Sequence, residues 1–207
     1  NEVAVSIDSD YVYLSVIPSK AQMLDRSRYL LSDQRDIAET LIQNVDALYV
    51  DLMGLATPDN EHLYYITDPH LTTQGAIHAY ELLAEAMGYQ PVRGYEFEVA
   101  TDSYIGSNYG KAASWSIAKD TIYLAHNDLL DGMSTCRFET LEISTCFDSV
   151  YLRGKEQDLD PYDVFLGGLG PIIVITNEQA KSDEKLVIFK DSYAHVLAPF
   201  LAQHFKQ

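Results

Sequence analysis

Basic residues, cysteine, tryptophan and long apolar runs are all scarce in this sequence of 207 residues. It has 14 lysines and arginines against 31 aspartates and glutamates, a formal net charge of −17. That balance disfavours nucleic acid and anionic membrane surfaces as partners, because both require a positively charged protein surface. No apolar run is long enough to span a bilayer, so we expect no integral membrane segment. We also expect that a secretion signal is absent or already removed and that the chain is part of a longer protein.

The two cysteines, Cys136 and Cys146, flank a segment whose alternating pattern is typical of a hairpin. A disulfide across this segment and two unpaired thiols are both compatible with the spacing. No second cysteine pair or matching histidine pair accompanies them, which disfavours a zinc site. We expect neither a metal nor a cofactor.

What is present indicates an α/β protein. The hydrophobic content of 47% is ordinary for a globular protein, and the length suits one domain with an insertion. A strand-like segment at 10–17, a helical period at 33–45 and a second strand-like segment at 47–52 predict a βαβ unit. Such a unit predicts a parallel sheet covered by helices. A short strand at 62–66 and a helix from about 73 to 87 are expected next.

The pattern changes between 89 and about 150. Short alternating segments are separated there by turns rich in glycine, serine and asparagine, and no strong helical period is found. We interpret this part as a mostly β insertion. Its tyrosines, together with Trp115, could stack on sugar rings, although packing is the commoner use of any one aromatic side chain.

The stretch from 186 to 205 draws attention to a serine. Apolar residues at 186–189 predict a buried strand, and a helical period follows the polar break at 190–192. Ser192 therefore falls at a sharp strand-to-helix junction, where α/β enzymes carry a nucleophile. The alternative is that Asp191 or Ser192 caps the helix, and the stretch taken alone favours the cap.

A possible base for Ser192 lies in the loop before the helix at 73–87. Asp68 and His70 flank Pro69 there, and the proline stiffens the loop. A carboxylate that accepts a hydrogen bond from Nδ1–H of an imidazole leaves Nε2 free to take a proton from a serine. The alternatives are a helix-capping aspartate with a surface histidine, or half of a metal site.

A glycine-rich segment precedes an apolar strand predicted at 171–175. Gly167 and Gly168 could bring backbone N–H groups close to a ligand, as an oxyanion hole requires. The segment lacks the Gly-Lys-Ser/Thr ending of a phosphate loop. A plain turn is the alternative.

Several of these segments, in order and spacing, resemble the bacterial DHHW family, whose motif is Thr-Asp-His-His-Trp-Thr. The resemblance covers nearly the whole chain and rests on YLSVIPSKA at 13–21, YITDPHLTTQGA at 65–76, FLGG at 165–168 and KDSYA at 190–194. Four positions depart from the pattern, among them Lys190, which replaces the glycine before the Asp-Ser pair. Pro69 and Leu71 replace its first histidine and its tryptophan, and Leu169 replaces an asparagine that could donate to an oxyanion.

The DHHW family is similar to the SGNH (GDSL-like) hydrolases and to the alginate O-acetyltransferases. The resemblance therefore implies a flavodoxin-like three-layer α/β sandwich with a mostly parallel sheet and a β-rich insertion. It also implies Ser192 as nucleophile, His70 as base and Asp68 as the partner that orients the base. The remaining candidates, Gly167, Gly168 and Tyr193, would contact the oxyanion or the substrate.

The implied reaction is transfer of an acyl group, most simply acetyl, on or off a carbohydrate. The expected protein is a bacterial esterase or O-acetyltransferase that acts on an envelope or extracellular polysaccharide and is located there. The alternative is a catalytically impaired protein that keeps the fold and binds carbohydrate. An enzyme requires His70 Nε2 within about 3.2 Å of Ser192 Oγ, or slightly beyond, with Asp68 behind the ring.

Overall fold

The computed structural model describes residues 11–112 and 116–207. Trp115, which we expected to contribute to a sugar-binding surface, lies outside these residues. Within them the fold is mixed α/β, and its strands form short, separate sheets.

The first part of the chain forms the predicted βαβ unit. Strand β1 (Tyr13–Ser15) pairs in parallel with β2 (Leu48–Val50), and helix α1 (Gln34–Asn44) connects them. Asp33 caps this helix because its side chain accepts a hydrogen bond from the N–H of Arg35. The helical period and the strand pattern are both confirmed here.

The helix after the Asp68 loop is also confirmed. Helix α2 (Thr73–Ala86) begins at the cap Thr72, whose hydroxyl accepts from the N–H of Gly75, and its buried face includes Ala76, Ala79, Tyr80 and Leu83. The strand predicted at 62–66 is wrong. A 3-10 turn occupies Pro58–Leu63, since Pro58 suits the first turn of a helix, and only a single bridge follows between Tyr64 and Leu71.

Most of the remaining strands are antiparallel. Strand β3 (Glu96–Tyr104) pairs with β4 (Asp120–His126), and helix α3 (Ser107–Ala112) lies between them in the chain. Helix α4 spans Asp128–Asp131. A second antiparallel sheet follows, in which β5 is Met133–Phe138, β6 is Ser144–Phe147 and β7 is Ile172–Asn177. Its strand order is β6–β5–β7. Cys136 and Cys146 face each other across β5 and β6 and are joined by a disulfide.

The expectation of a mostly parallel sheet is wrong for the described residues. Only β1 and β2 pair in parallel there, and the predicted strand at 186–189 is irregular chain, in which the N–H of Leu186 donates to the carbonyl of Gln207. Its residues Val187 and Phe189 are 69% and 73% exposed. An apolar run predicts a buried strand only where a neighbouring strand covers it.

The helix predicted after Ser192 is broken into short turns. A 3-10 turn spans Ser192–Ala194, and helix α5 spans only Ala198–Ala202. Pro199 near the start of α5 explains the break, because proline has no N–H to continue a preceding helix. Further 3-10 turns span Lys20–Met23, Met53–Leu55, Lys155–Gln157 and Pro161–Val164.

The core lies between helix α2 and the sheets, whereas helix α1 has a single buried residue, Ala38. Its largest fully buried side chains are aromatic and include Tyr65, Tyr80, Tyr104, Phe165 and Phe200. Tyr65 adjoins the loop that carries Asp68 and His70, so this loop rests directly on packed core. No helix in the described ranges is long and apolar enough to cross a bilayer.

Candidate active site

The loop at 65–70 is closed at its base by backbone contacts. Tyr64 and Leu71 form a bridge, and the N–H of Tyr65 donates to the carbonyl of His70 at 3.2 Å. The reversal turns Asp68 and His70 toward the same side, where the proline between them limits backbone freedom.

Asp68 is a buried carboxylate with three N–H donors. Oδ1 accepts from His70 Nδ1–H at 2.5 Å and from the His70 backbone N–H at 3.1 Å, and Oδ2 accepts from the Ser107 N–H at 2.9 Å. Burial opposes ionisation, but the hydrogen bonds from His70 and Ser107 outweigh it and hold the pKa of Asp68 at about 2. The carboxylate is therefore charged at neutral pH.

His70 connects Asp68 to Ser192. Its Nε2 lies 2.8 Å from Ser192 Oγ. Since Nδ1–H donates to Asp68, Nε2 carries the lone pair that accepts from the serine hydroxyl. The ring stacks on Tyr162 at a centroid distance of 4.4 Å, and Tyr193 lies 4.8 Å away. The structure thus brings together the three side chains expected to form a triad and fixes the imidazole plane.

Ser192 opens the 3-10 turn Ser192–Ala194, but it does not cap it. The cap is Asp191, whose Oδ1 accepts from the N–H of Tyr193 at 3.0 Å. The hydroxyl of Ser192 is therefore free for its hydrogen bond with His70.

The glycine segment has an unusual backbone. Leu166, Gly167 and Gly168 have consecutive positive φ values of 57°, 72° and 82°. This conformation is costly for leucine but not for glycine. At Gly168 a Cβ would also collide with the Asp163 carboxylate. Arg137 holds the segment by donating to the carbonyls of Gly167 and Leu169 at 3.0 and 3.2 Å.

His195 ties the glycine segment to the serine. Its Nε2 lies 3.2 Å from the Gly168 carbonyl, and its Nδ1 lies 2.9 Å from Lys190 Nζ. Burial, reinforced by the Lys190 charge, lowers the pKa of His195 to about 4, so the ring is neutral. Nε2–H then donates to Gly168, and Nδ1 accepts from Lys190. Burial also lowers the pKa of Lys190 to about 8.

The backbone N–H groups of the oxyanion candidates are only partly available. Gly168 donates to the carbonyl of Phe165, and Tyr193 donates to Asp191. In the part of the chain that the structure describes, the N–H groups of Ser192 and Gly167 have no acceptor. They are the donors that a developing oxyanion could use.

Sequence reasoning missed Tyr162, Ser107 and His195, which orient the site from outside the motifs. Only the turn residues around 105–110 and 160–162 gave a signal, and a turn signal does not reveal which side chain the turn will face. Within the described ranges, no group of three or more His, Cys, Asp or Glu side chains is arranged to hold a metal ion.

Comparison with known proteins gives a family and a fold. The profile of a family described as DHHW protein matches residues 12–207. A DHHW family protein from Eubacterium siraeum is similar in structure, with a TM-score of 0.75 at 22% identity over 95% of this chain and 67% of that one.

PatB1 of Bacillus cereus is similar as well. Its structure has a TM-score of 0.72 at 19% identity and covers 95% of this chain and 72% of that one. Its structure with a sulfonyl adduct has a TM-score of 0.70. No curated protein matches the sequence significantly. At these identities the structural likeness is one of fold.

Proposed function

The chain belongs to the DHHW protein family, and from that premise we propose that it is a serine-dependent acyl esterase or O-acetyltransferase. The observation that carries the proposal is the continuous chain of hydrogen bonds from Asp68 through His70 to Ser192, with lengths of 2.5 and 2.8 Å. In each hydrogen bond, the donor and the acceptor are the groups that nucleophilic catalysis by serine requires.

The proposed reaction has two steps. Ser192 Oγ attacks the ester carbonyl while His70 Nε2 takes the hydroxyl proton, and the Ser192 N–H stabilises the oxyanion. The intermediate expels the alkoxide, which receives the proton from His70, and leaves an acyl-serine. Water, or a sugar hydroxyl in a transferase, then gives its proton to His70 and attacks the acyl carbon. The second tetrahedral intermediate expels Ser192 Oγ, which takes the proton back from His70, and the acid or the new ester is released. Asp68 stabilises the imidazolium formed in both steps.

We propose a carbohydrate ester in the cell envelope or outside the cell as the substrate. The disulfide between Cys136 and Cys146 supports a location in an oxidising compartment, because such bonds are rare in the cytosol.

One observation favours a second candidate, a catalytically impaired carbohydrate-binding protein. Two of the expected oxyanion donors, the N–H groups of Gly168 and Tyr193, already donate within the protein. Leu169 stands where an asparagine donor is expected, and this residue is 71% exposed.

Hydrolysis of an aryl acetate distinguishes the candidates. We expect Ser192→Ala to lower kcat by at least about 10³-fold, while the control Ser182→Ala retains the wild-type rate. The PatB1 structure with a sulfonyl adduct supports a second measurement with an aryl sulfonyl fluoride. Peptide mass spectrometry should locate the label on Ser192. Equal rates in wild type and Ser192→Ala, with no label on Ser192, would leave only the binding candidate.

A further inference from the structure

Lys20 reaches the loop of the proposed triad from a distant part of the sequence. Its Nζ donates to the carbonyls of Tyr65, Ile66 and Asp68 at 2.6, 2.8 and 2.9 Å. A lysine ammonium has three N–H donors, and all of them are used here. Lys20 can therefore make all three hydrogen bonds only in its charged form. No N–H donor of the ammonium group is left for solvent.

Asp120, at the start of β4, holds the same loop by accepting hydrogen bonds from the N–H groups of the loop. Oδ1 accepts from the N–H of Ile66 at 2.7 Å, and Oδ2 accepts from the N–H of Thr67 at 2.7 Å and from its hydroxyl at 2.5 Å. The hydroxyl of Thr67 in turn accepts from the N–H of Gly106 at 2.9 Å. That N–H adjoins Ser107, which donates to Asp68.

The two charges act on one short piece of backbone. The ammonium group of Lys20 binds the carbonyl oxygens of this backbone, and the carboxylate of Asp120 binds its N–H groups. The peptide dipoles between the two charges are therefore aligned with the electric field that the charges create. Asp120 is only 7% exposed, and a buried carboxylate is tolerated because its oxygens are hydrogen-bonded and a cation lies near. Burial lowers the pKa of Lys20, while the charges of Asp120 and Asp68 oppose that shift.

We infer that Lys20 and Asp120 form a charge clamp that fixes the backbone at 65–68 and thereby sets the hydrogen bond between Asp68 and His70. They are positioning residues, since neither touches the reacting atoms. The inference rests on the proposed function in so far as the aligned groups are used for catalysis. The clamp itself is a structural device and can be tested apart from turnover.

The first test compares Lys20→Met with Lys181→Met, in which an exposed lysine is replaced in the same way. We expect Lys20→Met to fold, to lose about 10²-fold in kcat with KM changed less than threefold, and to react more slowly with a sulfonyl fluoride. In proton NMR, the downfield signal of His70 Nδ1–H should be lost or broadened. Lys181→Met should match the wild type in every measurement.

The second test restores the charge chemically. The natural cysteines are joined in a disulfide, so Lys20→Cys introduces the single free thiol of the chain. Treatment with 2-bromoethylamine creates a lysine analogue and should recover most of the activity and the downfield signal. Treatment with methyl methanethiosulfonate adds a neutral group of similar reach and should recover neither.

Asp120→Asn completes the design and replaces Lys20→Met if that variant does not fold. Because both residues hold one loop, the double variant should be no more than about twofold worse than the poorer single variant. Wild-type kcat and an unchanged downfield signal in folded Lys20→Met or Asp120→Asn would overturn the clamp. A wild type without Ser192-dependent turnover whose downfield signal still depends on Lys20 would instead refute the proposed function alone.

Discussion

The Asp68 carboxylate is ionised at neutral pH although it is buried, because His70 and Ser107 donate hydrogen bonds to it. Its pKa in the folded protein, about 2, lies below the ordinary value of 3.8. The folded state therefore gains stability from this group above pH 4 and loses it as the pH falls toward 2. The depression corresponds to about 2 kcal/mol of unfolding free energy.

We expect Asp68→Asn to abolish this pH-dependent contribution to the unfolding free energy. The difference in unfolding free energy between wild type and variant, from urea titrations, should shrink by about 2 kcal/mol between pH 6 and about pH 2. The exposed Asp102→Asn serves as control and should show a smaller change. A difference that is independent of pH in this range would contradict the assignment of the hydrogen bonds to the charged form.

Gly106 provides a second prediction at the residue scale. A Cβ at this position would collide with the side chain of Asp68, whereas a Cβ at Gly110 meets nothing within 4 Å. We expect Gly106→Ala to displace the carboxylate and to lower kcat for an aryl acetate by about 10²-fold. Gly110→Ala should leave kcat unchanged, and it should stabilise helix α3 slightly because alanine is the better helix former. Equal kcat values for the two variants would show that Asp68 tolerates the displacement.

The elements differ in how well the sequence predicts them. Helices α1 and α2 follow from local signals, a side-chain cap at Asp33 or Thr72 and a regular apolar period. The strand expected at 186–189 is not formed. Strand formation depends on a partner strand, often distant in sequence, that an apolar run cannot reveal. The prediction that Asp68 and His70 lie in the loop before helix α2 is confirmed, although the strand expected before that loop is wrong. The supports of the loop, Lys20 and Asp120, could not be predicted, since they depend on contacts 46 and 53 residues apart.

The β5–β6 hairpin carries a prediction at the scale of the element. The disulfide between Cys136 and Cys146 closes a loop with a sequence separation of 10. A loop of that size restricts the unfolded chain by about 2 to 3 kcal/mol in the chain-entropy treatment. The double variant Cys136→Ser/Cys146→Ser should lose that much unfolding free energy in urea. Dithiothreitol should lower the stability of the wild type by a similar amount and leave the double variant unchanged. A wild type insensitive to the reductant after verified thiol release would contradict this expectation.

At the scale of the whole molecule, the site depends on segments that are far apart in the chain. Lys20 comes from the turn after β1, Asp120 from β4, Tyr162 from the turn before the glycine segment and Ser192 from the turn before α5. Each of these residues contacts the loop at 65–70, and Lys20 and Asp120 make three hydrogen bonds each. Because these contacts are formed only when the chain is folded, loss of any supporting segment should impair the site without altering a triad residue.

The net charge of −17 also acts on the molecule as a whole. Self-repulsion of so many carboxylates destabilises the compact state, and salt screens it. Raising sodium chloride from about 0.01 M to about 0.1 M shortens the Debye length from about 30 Å to about 10 Å. The exposed ion pairs, such as Arg93 with Glu81, weaken with salt but contribute about 0 to 1 kcal/mol each.

We therefore expect the urea midpoint at pH 7 to rise with salt. Near the isoelectric point of 4.5 the net repulsion vanishes, and the rise should disappear or reverse. A midpoint that falls with salt at pH 7 would show that ion pairs, rather than net repulsion, dominate the electrostatic part of the stability.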